Sequence, residues 1–237
     1  MTQRFQDSIV WITGGGTGIG KALAVEFAKE GAKLALSGRR RDRLESAADE
    51  LRTLGAEVLV VPCDVTDAAA LAGAIDQIGS PQVVVHNAVG GAFGNWQQID
   101  AETLRRNIEI NTMALYHLAH LTAPAMIEAG RGALIVTGNT SALRGSASFA
   151  GFAPSKAAQR ILAESLARDL GPKGVHVAYL IIDAVIDVPW ARQCYHDKDD
   201  AFFISPNSIA AEVFHLAHQP KDAWSFLAEV RPYAEKW

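Results

Sequence analysis

Cysteine is scarce: Cys63 and Cys194 are the only two in 237 residues, and they lie far apart in no spacing that suits a metal or a redox pair. A reduced, cytoplasmic protein is therefore expected, and no metal centre. No apolar run approaches the roughly 20 residues that span a bilayer, and the first residues do not pair a charged segment with an apolar one. A membrane role is set aside. An excess of either charge is missing too, since 22 Lys+Arg stand against 26 Asp+Glu for a formal net charge of −4, with the signs interspersed. Such a chain has no basic stripe to neutralise a phosphate backbone, so a small molecule rather than nucleic acid is the expected partner. Without repeat, low-complexity tract or linker, residues 1–237 read as one domain.

What the chain does have is alternation. Short β-branched runs at Ile9–Thr13, Lys33–Ser37, Glu57–Pro62, Val83–His86, Ala133–Thr137 and Val175–Ile182 alternate with segments of helical period. The helices are expected at Lys21–Glu30, Asp42–Leu54, Ala68–Ile78, one long stretch near Ala101–Ala129, Phe152–Leu170 and Ser208–His218, with Trp224–Glu229 as a last strand. This order implies an α/β doubly wound Rossmann fold: a mostly parallel sheet of about seven strands with helices on both faces. The segment Ile186–Asn207 has little periodicity and reads as a lid over a ligand.

The first strand runs into "VWITGGGTGIGKAL", a glycine-rich turn that opens a helix. Gly14 allows the tight turn, Gly18 lets backbone approach a pyrophosphate, and Gly20 lets helix and strand pack closely, with Gly16, Thr17 and Ile19 completing the cradle. A diphosphate would sit on the unpaired N–H groups of the helix start. The second strand ends in "ALSGRRRDR", with no acid to bond a ribose 2′-hydroxyl but with Arg39 and Arg40, which suit a 2′-phosphate. NADP(H) is thus favoured over NAD(H), although the same arginines would also serve as the solvated opening of the next helix.

With the Gly-x-x-x-Gly-x-Gly spacing, "CDV" at Cys63–Val65, "HNAVG" at His86–Gly90, "IEIN" ending at Asn111, and Lys156, the chain resembles the short-chain dehydrogenase/reductase family over nearly its whole length. The resemblance implies that Asp64 and Val65 meet the adenine, that Asn87, Ala88 and Val89 line the adenosine side, and that Ile186 lies beside the nicotinamide. It also implies a homodimer or homotetramer built on the two long helices.

The family carries a Tyr four residues before its Lys as proton donor, a Ser about thirteen residues upstream of that Tyr to orient the substrate oxygen, and an Asn that supports a water chain to the Lys. Here Lys156 and Asn111 match, but "GFAPSKAA" places Phe152 at the Tyr position, and Phe149 stands at the wider spacing of some enoyl reductases. The Ser position is Asn139, with Thr140 and Ser141 adjacent. Asp183 and Asp187 fall where the family has Pro-Gly-x-x-x-Thr; a desolvated, protonated Asp183, a relay from Lys156 through water and Thr140 or Ser141, or solvent itself would be the substitute donor, and both acids would equally suit loop or helix capping. His86, His117 and His120 read as packing residues, and Arg144 as a solvated residue or an anchor for an anion. Two functions follow: an NADP(H)-dependent oxidoreductase acting on a small carbonyl, alcohol or conjugated alkene with a nonstandard proton donor, or a catalytically silent NADP(H)-binding protein acting as sensor or scaffold.

Overall fold

In the computed structural model, which describes residues 5–234, the aliphatic runs assemble as β1 (Ile9–Thr13), β2 (Lys33–Gly38), β3 (Val58–Pro62), β4 (Val83–His86), β5 (Gly132–Thr137), β6 (Val175–Ile182) and a last strand at Leu227–Val230. They form one sheet in the order β3-β2-β1-β4-β5-β6 and then the last strand, every neighbour parallel. Parallel strands must be covered on both faces, which is why β6 is buried at all eight positions. Alternate side chains serve the two layers. Val10 and Ile12 join Leu23, Phe27 and Leu34 on one face, while Trp11 joins Leu71, Leu115 and Leu118 on the other.

The helices are α1 (Gly18–Lys29), α2 (Arg41–Thr53), α3 (Ala68–Ile78), α4 (Ala101–Ile108), α5 (Ala114–Glu128) and α6 (Phe152–Leu170). Because β1 leads toward β2 on one side and β4 lies on its other side, the chain direction splits between β1 and β4. The crevice at their carboxyl ends is where this architecture binds ligands.

The long helix expected near Ala101–Ala129 is interrupted. Between α4 and α5 the residues Glu109–Met113 form a wider, π-helical turn, and Asn111 at its centre is fully buried. The extra residue in the turn is held by tertiary bonds from Asn111 to Gly90 and Ser155, so the helical ladder slips by one where the site needs a side chain turned inward.

The segment 186–207 has more order than its periodicity implies. The short strands β7 (Val185–Ile186) and β8 (Phe203–Ile204) pair in parallel around α7 (Pro189–Cys194). Arg192 on α7 donates to both oxygens of Asp187 at 2.7 and 2.9 Å and to Asp200 at 2.8 Å, and its guanidinium lies 4.0 Å from the centre of the Phe203 ring. Helix α8 (Pro206–Ala217) and the last strand, here β9 (Leu227–Val230), complete the chain order.

Candidate active site

Backbone conformation defines the phosphate end. Gly14 and Gly18 have φ of +69° and +54°, the left-handed region that side chains avoid. The N–H groups of Gly14 and Gly15 both donate to the Ser37 carbonyl, fixing the loop against β2. A Cβ on Gly20 would lie 2.8 Å from the Gly14 carbonyl carbon and 2.9 Å from the Gly15 Cα, so only glycine lets α1 start this close to β1. No side chain caps the first turn of α1, and Thr17, at the N-cap, makes no capping bond; its N–H groups are offered to an anion. The cradle therefore fits a dinucleotide diphosphate. Gly16 packs against the backbone of Arg43, and Ile19 packs on the core layer.

After β2, Arg39 and Arg40 are exposed and make no salt bridge among the described residues, and Arg40 is the N-cap of α2. Asp64 accepts from the Thr66 N–H and hydroxyl and pairs with Arg106 at 3.4 Å. Burial pushes its carboxyl up, but the Thr66 bonds and the charges of Arg106 and Arg39 outweigh this and hold it below the usual range. Val65 is buried beside it, and Asn87 bridges the ends of three strands, donating to Thr13 and Gly14 carbonyls and accepting from the Thr137 hydroxyl. Ala88 is fixed by its N–H to Thr13 Oγ1, and Val89 is left exposed at the crevice rim.

The opposite end is built on one stripe of α6. Phe152, Lys156 and Gln159, at i, i+4 and i+7, share a buried face. Lys156 is 2% exposed; its Nζ donates to the Thr137 carbonyl at 3.2 Å and to Gln159 Oε1 at 2.9 Å, and lies 5.9 Å from the Phe152 ring centre. Burial alone brings its ammonium down to about 7. Phe152 packs with Phe93 and Phe149, ring centres 5.2 and 6.2 Å away, and Phe93 is 61% exposed; together they form an aromatic wall with no hydroxyl.

Asn111 clamps the loop after β4: its amide donates to the Gly90 carbonyl and Ser155 Oγ, and its Oδ1 accepts from the Gly90 N–H. Its main-chain carbonyl accepts from Gln159 Nε2 at 2.6 Å and from His86 Nε2 at 3.3 Å. A carbonyl only accepts, so His86 carries its proton on Nε2 and its bare Nδ1 takes the Thr13 hydroxyl at 3.2 Å.

Burial, then the Lys156 charge, brings the His86 imidazole down to about 3. A histidine kept neutral in the native state but protonated near 6.5 when unfolded makes folding weaker as pH falls from about 6.5 toward 3. We expect the urea midpoint to drop between pH 7 and pH 5, and to drop less in His86→Asn. Equal losses in the two proteins would refute this role.

The other sequence candidates are dispersed. Asn139 is engaged at both ends of its amide, its Oδ1 accepting the Ser141 N–H at 2.9 Å and its Nδ2 donating to the Ile182 carbonyl at 3.2 Å. Ser141 Oγ is buried without a hydrogen-bond partner and lines a groove of about 350 Å³ with Arg144, Phe149 and Ala153, a groove that does not include Lys156. Asp183 faces Arg231 at 3.9 Å, and Asp187 is held by Arg192, so each carboxylate already has a cation. Ile186 is committed to the β7–β8 pairing, and Val188 reaches over Gly18, with Cγ1 3.5 Å from where a Cβ on Gly18 would stand. Val188 thus presents an apolar side chain to the phosphate loop and supplies no hydroxyl there. His117 and His120 flank Tyr116, and no group of three metal-ligating side chains occurs among the described residues.

Gln159, Tyr179 and Val188 belong to none of the sequence motifs. Gln159 had one legible signal, a polar residue repeating at i+3 and i+7 on the stripe of Lys156 and Phe152.

Comparison with known proteins agrees with this geometry. The family model described as "short chain dehydrogenase" matches residues 8–197. The 7alpha-hydroxysteroid dehydrogenase of Escherichia coli (strain K12) is 34% identical over 179 residues, which is 74% of this chain and 70% of that protein. An uncharacterized oxidoreductase of Staphylococcus aureus (strain N315) is 28% identical over 230 residues, 95% of this chain and 97% of that one. Among solved structures, the alcohol dehydrogenase of the archaeon Thermococcus sibiricus complexed with 5-hydroxy-NADP superposes with a TM-score of 0.86 at 27% identity, covering 98% of this chain and 99% of that one. With the glycine cradle, the switch-point crevice and the α6 lysine in place, the chain belongs to the short-chain dehydrogenase family of NAD(P)-dependent oxidoreductases.

Proposed function

We propose that the protein is an NADP(H)-dependent oxidoreductase for a small carbonyl, alcohol or conjugated alkene, in which Lys156 takes over the proton transfer that the missing tyrosine would perform. The observation that carries this is Lys156 itself: buried under an aromatic wall, with two N–H bonds committed to Thr137 and Gln159 and one left over. The nicotinamide would supply or accept the hydride. Gly14, Gly16, Thr17, Gly18, Ile19 and Gly20 would hold the diphosphate, and Asp64, Val65, Asn87, Ala88 and Val89 the adenosine. Arg39 and Arg40 would pair with a 2′-phosphate.

In the reducing direction a proton leaves Lys156 Nζ for the substrate oxygen or carbon, and Lys156 is left as a neutral amine. In the oxidising direction the amine receives it. An amine near pH 7 is matched to both tasks, since the best acid or base has a pKa close to the working pH.

The sign of the pH dependence follows. Reduction requires the ammonium, so its rate should fall as pH rises through about 7, while oxidation should rise across the same interval. Lys156→Arg, which keeps the charge but does not release the proton, should lose at least about 100-fold in both directions and still bind NADPH. Initial rates between pH 5.5 and 9 test this; a flat profile, or full activity in Lys156→Arg, removes Lys156 from the role.

The Arg39→Ala/Arg40→Ala double variant should weaken NADPH binding by about 10- to 100-fold and leave NADH nearly unchanged, because only the 2′-phosphate loses its partners. Isothermal calorimetry with both nucleotides reads the difference. Equal affinities in the native protein would defeat the preference.

Asn139 engaged by Ser141 and Ile182, Val188 without a hydroxyl and Asp183 paired to Arg231 favour the second reading, a catalytically silent NADP(H)-binding protein. It predicts NADPH binding with no NADPH oxidation against any ketone or enone. Half-exposed Tyr116 on α5 and Ile161 on α6 support the pairing of these helices in a homodimer or homotetramer.

A further inference from the structure

Beneath the crevice lies a polar network that belongs neither to the dinucleotide cradle nor to the substrate wall. Gln159 is its centre. Its Nε2 donates to the Asn111 carbonyl at 2.6 Å, and its Oε1 accepts from Lys156 Nζ at 2.9 Å and from the Tyr179 hydroxyl at 3.3 Å. The side chain is fully buried. Only one orientation of the amide works, because flipping it would set an oxygen against the Asn111 carbonyl and an N–H against the lysine ammonium.

The Asn111 carbonyl is in turn filled. Its two lone pairs take Gln159 Nε2–H and His86 Nε2–H, which leaves no acceptor position for anything else. The two acceptors of Lys156 Nζ are a carbonyl and an amide, Thr137 O and Gln159 Oε1. Neither takes up or hands on a proton near neutral pH, since an amide would have to pass through its imidic form. The titratable groups facing this cluster are His86 from β4, held neutral, and Tyr179 from β6, whose phenol burial pushes far up. No carboxylate contacts Lys156 among the described residues.

We propose that Gln159 is a positioning residue: it fixes the buried Lys156 ammonium against the end of β5, serves as the side-chain acceptor that stabilises its charged form, and closes it on that side, so that Lys156 exchanges its proton only through the N–H that neither Thr137 nor Gln159 engages. The proposal deepens the role assigned to Lys156 and rests on it for its catalytic meaning. A buried amide is suited to this because it supplies one donor and one acceptor without adding a charge, and a partner deleted from such a network leaves the others unsatisfied.

The test reads the titration of Lys156 directly, by NMR of the lysine Cε–Hε signals in the nucleotide-free protein, assigned by comparison with Lys156→Arg. Gln159→Glu, which sets a carboxylate against Nζ, is expected to raise the midpoint by about 1 pH unit or more, and Gln159→Leu, which removes the acceptor, to lower it by a similar amount. The pH dependence of NADPH oxidation should move by the same shift, with NADPH affinity changed less than threefold. If both variants melt at lower temperature but keep the native midpoint, Gln159 is only a packing residue and the proposal is overturned. Should Gln159→Leu fail to fold, Gln159→Glu, which keeps the size and polarity, decides alone. Shifted midpoints in a protein that never oxidises NADPH uphold Gln159 and remove the catalytic role of Lys156, whereas turnover with unshifted midpoints removes Gln159 and leaves Lys156.

Discussion

Phe152→Tyr is expected to raise NADPH-dependent reduction of a simple ketone by about 10²- to 10⁴-fold, the range a positioned general acid contributes. The substitution adds one oxygen to a ring that is already placed. Phe152 is 6% exposed, is held by Phe93 and Phe149, and sits one turn from Lys156 on the same face of α6. A phenol there would meet the uncommitted N–H of Lys156, and the ammonium would lower its pKa from near 10. The hydroxyl is also satisfied on arrival, so little stability is lost. Two measurements check this: initial rates with a panel of ketones and enones, and NADPH affinity by calorimetry. A native protein that turns over slowly and a variant that turns over fast place the nicotinamide against this stripe. A variant that binds NADPH as the native protein does and gains no rate would mean that the reactive ring lies elsewhere. A native protein with no rate at all and an active variant would assign the chain to the silent reading, since the only thing added was the acid.

How much of this was legible in the sequence follows from the range of the interactions involved. The strands and the phosphate loop are written locally: β-branched runs of period two, then glycines at positions where only a positive φ or a close backbone approach will do. The first six strands match to within a residue, while the last begins at Leu227, three residues after the expected Trp224. Lys156 and Asn111 were legible as spacing. The π-helical turn around Asn111 was not, because nothing in "NIEINTM" favours a wider turn; it exists through bonds to Gly90, 21 residues back, and Ser155, 44 residues ahead. Asp183 reads as a substitute donor or a capping acid until Arg231, just after β9, comes to 3.9 Å from it. Asn139 reads as an orienting amide until the short turn that follows engages its oxygen with the Ser141 N–H. In each case the residue type was visible and its partner, set by tertiary contact, was not. The lid shows the same effect, since the β7–β8 pairing joins residues 18 apart in a segment with no period of its own.

Gly20→Ala is expected to weaken binding of either pyridine nucleotide by at least about 100-fold and to lower stability by roughly 1–3 kcal/mol, the usual cost of forcing a methyl into a filled space. The added carbon would press on the Gly14 carbonyl and the Gly15 Cα. These are backbone atoms anchored to the Ser37 carbonyl of β2, so no side chain can swing aside to make room. Relief requires α1 to move away from the end of β1, and that movement carries the first-turn N–H groups away from the position proposed for the diphosphate. Binding should therefore suffer more than folding. Gly73→Ala provides the contrast: Gly73 lies in the exposed middle of α3 with nothing within 4 Å of an added Cβ, so the change should stabilise the fold by about 1 kcal/mol and leave nucleotide affinity untouched. Urea unfolding and calorimetry on the two variants separate a local clash from a general sensitivity to methyl groups. If Gly20→Ala binds nucleotide like the native protein, α1 does not present its N-terminus to the diphosphate, and the placement of everything downstream of it, including the ring over Lys156, loses its anchor.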